Sequence, residues 1–131
     1  MSIKQRLDQR SIPVIGAPMF LVSGPELVIA QCRAGIVGSF PSLNARHSHE
    51  LEQWIQHIKQ ALSESDCTIP FAVNLVALST SQRWKDDLAC CLEHKVPMII
   101  TSMKPPEDLS SKIQRYGGLH FHDVTTLAHA K

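Results

Sequence analysis

Ala17-Pro18-Met19 and Asn74 have the clearest capacity for ligand chemistry, because each stands at the end of a short apolar run. Proline removes a backbone donor and fixes φ, so Pro18 makes a rigid turn. Such a turn presents backbone groups and the Met19 side chain to a planar ring, or else packs on the core as an ordinary βα loop. Asn74 closes Phe71-Ala72-Val73-Asn74 with an amide that offers both donors and an acceptor. A buried amide needs partners, and either a ligand or a neighbouring loop supplies them. His120 and His122 share one strand face at period two, with Asp123 next in sequence. Two imidazoles and a carboxylate suit zinc or iron. No further ligand motif stands nearby, so hydrogen-bonded core or rim histidines are the favoured reading and no metal site is assigned. His47 and His49 read as solvated residues ahead of a helix. The chain has neither the G-x-S-x-G elbow of a hydrolase nor the G-x-G-x-x-G dinucleotide fingerprint.

The elements that position these residues alternate between apolar runs and amphipathic stretches. Ile12 to Ala17 is the first predicted strand. Ser23-Gly24-Pro25-Glu26 has the form of a capping box for a helix over Leu27 to Ala34, with Gly35 to end it. Ile36-Val37-Gly38 is a second short strand. Leu51, Trp54, Ile55, Ile58 and Leu62 line one face of a helix. Phe71 to Leu75 is the third strand. Trp84, Leu88, Cys91 and Leu92 mark another helix, and Val96 to Thr101 a fourth strand. Leu109, Ile113 and Tyr116 mark a helix ending at Gly117. Leu119 to His122 is the fifth strand, and a last helix starts near Thr125 and runs towards Lys131. Strands alternating with helices predict a parallel α/β sheet. Periodicity alone fits both a five-stranded doubly wound domain and about five of the eight units of a TIM-type barrel. In either, ligands gather at the C-terminal ends of the strands, where the residues named above lie.

Composition narrows the functions. The 131 residues are 44% hydrophobic and 19% charged, with a net charge of +1, enough for one domain over 1–131 with its own core. Neither the charge nor the 5% aromatic content argues for nucleic acid. No apolar run reaches membrane-spanning length, and the polar start from Met1 to Ser11 does not suit a signal peptide. A cytoplasmic protein is the expectation. The spacing of Cys32, Cys67, Cys90 and Cys91 matches no zinc or redox motif, so they read as reduced, partly buried thiols.

Several segments, in order, resemble the nitronate monooxygenase (2-nitropropane dioxygenase-like) family. They are Pro13 to Met19, Ser23 to Leu27, Ala34 to Ser39, Pro70 to Leu75, Val96 to Ser102 and His122 to Val124. The resemblance implies a β/α barrel, here its N-terminal part, and noncovalent FMN. It implies that Ala17, Pro18 and Met19 lie against the flavin ring and that Asn74 contacts the cofactor. The implied activity is oxidation of alkyl nitronates by O₂ to a carbonyl compound and nitrite. Two departures stand out. Ser102-Met103-Lys104-Pro105-Pro106 lacks the glycine that the family has after its fourth strand. The family's catalytic histidine belongs to a Gly-Gly-His segment with no counterpart up to Lys131, so none of the seven histidines here inherits that role. The expectation is an inactive N-terminal fragment whose open barrel edges favour self-association. The alternatives are a flavin-dependent enoyl reductase of fatty-acid synthesis, whose opening is similar, and a non-enzymatic half-barrel interaction module.

Overall fold

A computed structural model describes residues 2–10, 12–78, 80–105 and 107–130. Pro106 of the loop after the fourth predicted strand, and Lys131 at the end of the last predicted helix, lie outside the described residues. The elements run α1 (Ile3–Arg10), α2 (Pro25–Arg33), β1 (Ser39–Pro41), a 3₁₀ turn (Ser42–Asn44), α3 (Ser48–Glu64), β2 (Ala72–Ala77), α4 (Gln82–Glu93), β3 (Met98–Met103), α5 (Leu109–Arg115), β4 (Leu119–His122) and α6 (Leu127–Ala130).

The four strands form one parallel sheet in the order β1-β2-β3-β4. Each strand lies beside its predecessor, and each crossover moves the chain in the same direction. Right-handed crossovers of that kind leave the helices that connect the strands on one face, whereas a doubly wound sheet reverses direction and carries helices on both. The side chains agree. Phe40, Val73, Ile99 and His120 form a row in register across the sheet. At one end of that row Trp54 of α3 packs on Phe40, with ring centroids 5.6 Å apart. At the other end Ser110 of α5 bonds His120 at 2.6 Å. Helices α3 and α5 therefore share a face, which settles the sequence ambiguity in favour of barrel-type winding.

The core lies between this face and the helices. Leu51, Ile55, Ile58 and Leu62 of α3 are buried there with Val28, Ile29 and Cys32 of α2. Full burial of each large aliphatic side chain contributes about 1.5–3 kcal/mol, so α3 is held by its apolar stripe and not by propensity.

Three expectations need correction. Residues 12–17 do not form a strand but make a single parallel bridge, Ile15 to Val37, supported by Gly16 N–H to Val37 O at 2.8 Å. Pro13, and Pro18 just beyond the segment, cannot donate, and among the described residues no strand flanks it on its far side, so a continuous ladder is not sustained. The second strand falls at Ser39–Pro41, just beyond the predicted Ile36–Gly38. Gly38 is pressed against α2, where a Cβ would meet Val28 O at 2.5 Å. Finally, Ser23 does not cap α2. The N-cap is Gly24, and no side chain caps this end. The Ser23 hydroxyl instead accepts from Met19 N–H at 2.9 Å, and Glu26 reaches His57 at 2.9 Å.

Sequence reasoning also missed α1, whose polar composition hides Ile3 and Leu7, two residues packed on the core. His49 lies within α3, exposed, and not in a loop. No helix among the described residues is long and apolar enough to cross a membrane.

Candidate ligand site at the strand ends

On the face away from the helices, Pro41, Asn74, Ile100 and Phe121 form a second row in register. Asn74 is 7% exposed. Its Nδ2 donates to Ile100 O and Ser102 Oγ, both at 3.1 Å. The Ser102 hydroxyl donates in turn to Asp123 Oδ2 at 2.6 Å. A polar line therefore crosses from the middle of β2 to the ends of β3 and β4 on the inner face. Asn74 Oδ1 accepts no hydrogen bond among the described residues. It is an acceptor held in a fixed direction, because the donor end of the same amide is committed.

The turn after residue 17 is rigid for different reasons. Met19 N–H donates to Ser23 Oγ, and Ser23 N–H returns to Met19 O at 2.9 Å. Asn44 clamps the turn from outside. Its Nδ2 donates to Met19 O at 3.0 Å and Ser23 O at 2.8 Å, while its Oδ1 accepts from Leu21 N–H at 2.8 Å. Leu21 sits at φ 63°, left-handed backbone that leucine rarely adopts. The clamp holds Met19, Phe20, Leu21 and Val22 outward, with Phe20 62% and Leu21 81% exposed. A run of exposed apolar residues on a braced turn is a built surface and not a frayed loop.

Asn44 is itself anchored from below. The Arg83 guanidinium donates to Ser42 O at 3.1 Å, Ala45 O at 2.7 Å and Arg46 O at 2.6 Å. Its Nε lies 2.8 Å and 2.9 Å from the two oxygens of Asp87, whose side chain is fully buried. Ser48 Oγ also donates to Asp87, at 2.8 Å. One arginine thus fixes the segment that carries Asn44, and Asn44 fixes the turn. Sequence reasoning missed Asn44, Ser102 and the Arg83–Asp87 pair. The i,i+4 spacing of Arg83 and Asp87 was the one available signal.

Segment 15–17 runs beside β1, which separates it from Asn74 on β2. The turn and Asn74 share the C-terminal edge of the sheet without touching. Two strand spacings put them about 10 Å apart, room for a planar ligand across β1. The inner face also holds a cavity of about 290 Å³, walled by Leu7, Ile15, Val37, Met98 and Phe121. None of its lining residues is titratable.

The structure separates the histidines from Asp123. His120 and His122 point to the helix side and share the Thr101 hydroxyl, at 2.8 Å each. Asp123 turns to Ser102 on the inner side. Alternation along the chain makes this unavoidable, and among the described residues no three His, Cys, Asp or Glu groups gather as metal ligands. The cysteines are free. Burial pushes the Cys32 and Cys90 thiols up to about 11, and that of Cys91 well above its ordinary value.

No family model and no curated protein matches the chain. Solved structures do. FabK from Thermotoga maritima aligns with a TM-score of 0.79 at 22% identity, over 99% of this chain and 39% of that one. A point mutant of the same protein gives 0.78 at 21%, over 99% and 42%. The chain spans about two-fifths of their length, and at this identity the likeness is one of fold. The chain is an α/β array of parallel βα units wound in one direction, consistent with a segment of a TIM-type barrel.

Proposed function

We propose that this chain forms part of an FMN-dependent oxidoreductase of the nitronate monooxygenase type, with Ala17, Pro18, Met19 and Asn74 at the flavin ring. One observation carries the reading. A braced apolar turn and a directed amide oxygen flank β1 at the edge of the sheet where parallel βα proteins take their ligands. The residues suit the ring of FMN. Met19 supplies partly exposed apolar surface, and Asn74 Oδ1 supplies an acceptor for a ring N–H. When bound, FMN provides the electron-accepting centre for oxidation of an alkyl nitronate, with O₂ as the second substrate and a carbonyl compound and nitrite as products. The chain's own part is to position the ring and shield one side of it. None of its seven histidines is assigned as the catalytic base.

The test is to mix purified chain with FMN, desalt it, and record the visible spectrum. Retained flavin bands, lost in Asn74→Leu, support the site. Anaerobic bleaching of those bands by a nitronate favours the monooxygenase, and bleaching by NAD(P)H favours the enoyl-reductase alternative. Wild-type chain that keeps no flavin overturns the reading, and a flavin-free mass that climbs with concentration favours a half-barrel interaction module instead.

A further inference from the structure

Four side chains on the helix side form a line that neither the fold nor the proposed flavin site requires. Ser110 Oγ of α5 lies 2.6 Å from His120 Nδ1. His120 Nε2 lies 2.8 Å from Thr101 Oγ1, and the same oxygen lies 2.8 Å from His122 Nδ1. Thr101 is fully buried in β3, between the two histidines of β4.

The proton count of this line is fixed by the single hydroxyl. Thr101 has one hydrogen to donate. With both imidazoles neutral, one ring donates N–H to Thr101 and the other accepts its O–H, so the two tautomers are tied together. One added proton fits without loss. If His122 is charged, its Nδ1–H donates to Thr101, Thr101 donates to His120 Nε2, and His120 Nδ1–H donates to Ser110. If His120 is charged, its Nε2–H donates to Thr101 and Thr101 donates to His122 Nδ1, while its Nδ1–H still donates to Ser110. A second proton fits poorly. Thr101 Oγ1 can accept from both rings on its two lone pairs, but its own hydrogen is then left with Phe121 O at 3.5 Å, at the limit of a hydrogen bond. Two imidazolium charges would also face each other across a buried atom.

We propose that Ser110, His120, Thr101 and His122 form a one-proton latch that fastens β4 to β3 and α5 and opens when a second proton enters. The surrounding charges do not relieve it. Asp108 and Lys112 of α5 pair with each other at 2.7 Å on its exposed side, and Arg115 lies a turn further on. On α6 the group against the latch is His129, its ring edge-on to His122 with centroids 5.4 Å apart. Asp123 of the strand end is engaged by Ser102 on the other face. Burial, and then the charge of His122, lower the pKa of His120 from its ordinary 6.5. The sign follows. Below pH 6.5 the unfolded chain protonates His120 while the folded latch resists that proton, so the unfolded state takes up more protons and stability falls with falling pH. Each proton withheld weakens the folding equilibrium about tenfold per pH unit within that window.

The test is an NMR pH titration of the His120 and His122 ring carbons, with amide hydrogen exchange along β4. The expected result is two linked steps, each sensed by both rings and the second displaced to acid, with exchange at Leu119 to His122 accelerating through the second step. Thr101→Val removes the shared hydroxyl and should abolish the linkage, while Thr101→Ser should restore it. Two independent titrations near the ordinary value in the wild type, or exchange in β4 that ignores the second step, overturn the proposal. If Thr101→Val fails to fold, the wild-type and Thr101→Ser titrations still decide. The flavin experiment has no bearing on either outcome.

Discussion

The side-chain amide of Asn44 donates to the backbone carbonyl of Met19 over 3.0 Å, across 25 residues of chain. Two further bonds from the same side chain, to Ser23 O and from Leu21 N–H, make Asn44 the clasp of the exposed turn. Asn44→Ala should cost about 1–2 kcal/mol, from hydrogen bonds worth about 0.5–1.5 kcal/mol net each. Asn44→Asp should be no better, because its carboxylate would face two carbonyl oxygens. Urea midpoints at unchanged m-value measure the loss, and under the proposed function flavin retention falls with it.

Arg83 and Asp87 support the clasp. Asp87→Ala leaves a guanidinium without its counter-charge at a site where three carbonyls already converge. The expected loss is about 3 kcal/mol, the low end for a broken buried pair, because Arg83 keeps a quarter of its side chain in water. Arg83→Lys should not rescue stability, since an ammonium cannot reproduce the planar fork. Thermal unfolding of the two variants distinguishes a charge requirement from a geometric one.

The helix ends give a stabilising prediction. α2, α3, α4 and α5 all close with the same pair of backbone bonds, a 6→1 and a 5→2 bond around a left-handed residue. In α2 and α5 that residue is Gly35 or Gly117. In α3 and α4 it is Asp66 at φ 49° or Lys95 at φ 48°. Left-handed backbone costs a side-chain-bearing residue about 1–2 kcal/mol, so Lys95→Gly should raise stability by about 1 kcal/mol. A lower urea midpoint for that variant would contradict the assignment.

The thiols give a pH prediction. Only thiolate reacts with alkylating agents, and burial holds Cys32 and Cys90 at about 11. Both should label slowly at pH 8, and about tenfold faster for each pH unit up to pH 10. Peptide mass spectrometry reads each site. Rapid labelling of Cys32 at pH 8 would show that α2 opens away from the sheet.

These features differ in how much of them the sequence shows. The stripe of α3 is legible because 3.6-residue spacing is a local property, and Gly35 and Gly117 announce two helix ends. The ends at Asp66 and Lys95 carry no such mark. Ser23 has the sequence form of a cap, yet its hydroxyl is drawn to Met19 N–H, which no local rule anticipates. The apolar run from Ile12 to Ala17 has the composition of a strand, but Pro13 and the lack of an outer strand among the described residues reduce it to one bridge. Asn74 was legible as a polar residue within an apolar strand but not as to its place, because β2 runs on to Ala77 and leaves it mid-strand, level with the last residue of β1. Its partners Ile100 O and Ser102 lie 26 and 28 residues away, and only register brings them together. Asn44 and Arg83 were illegible for the same reason, since their worth lies in distant carbonyls.

The strand order has a consequence for how such a chain is made. Because each strand docks against the one just before it, no gap has to be kept open for a later arrival. A nascent polypeptide can commit each unit as it leaves the ribosome, adding to the seam left by the newest strand. The separation between pairing partners stays close to one βα unit, so the entropy of closing each step barely grows with chain length. An architecture of this kind lengthens by accretion, one stave at a time, without disturbing what has already set.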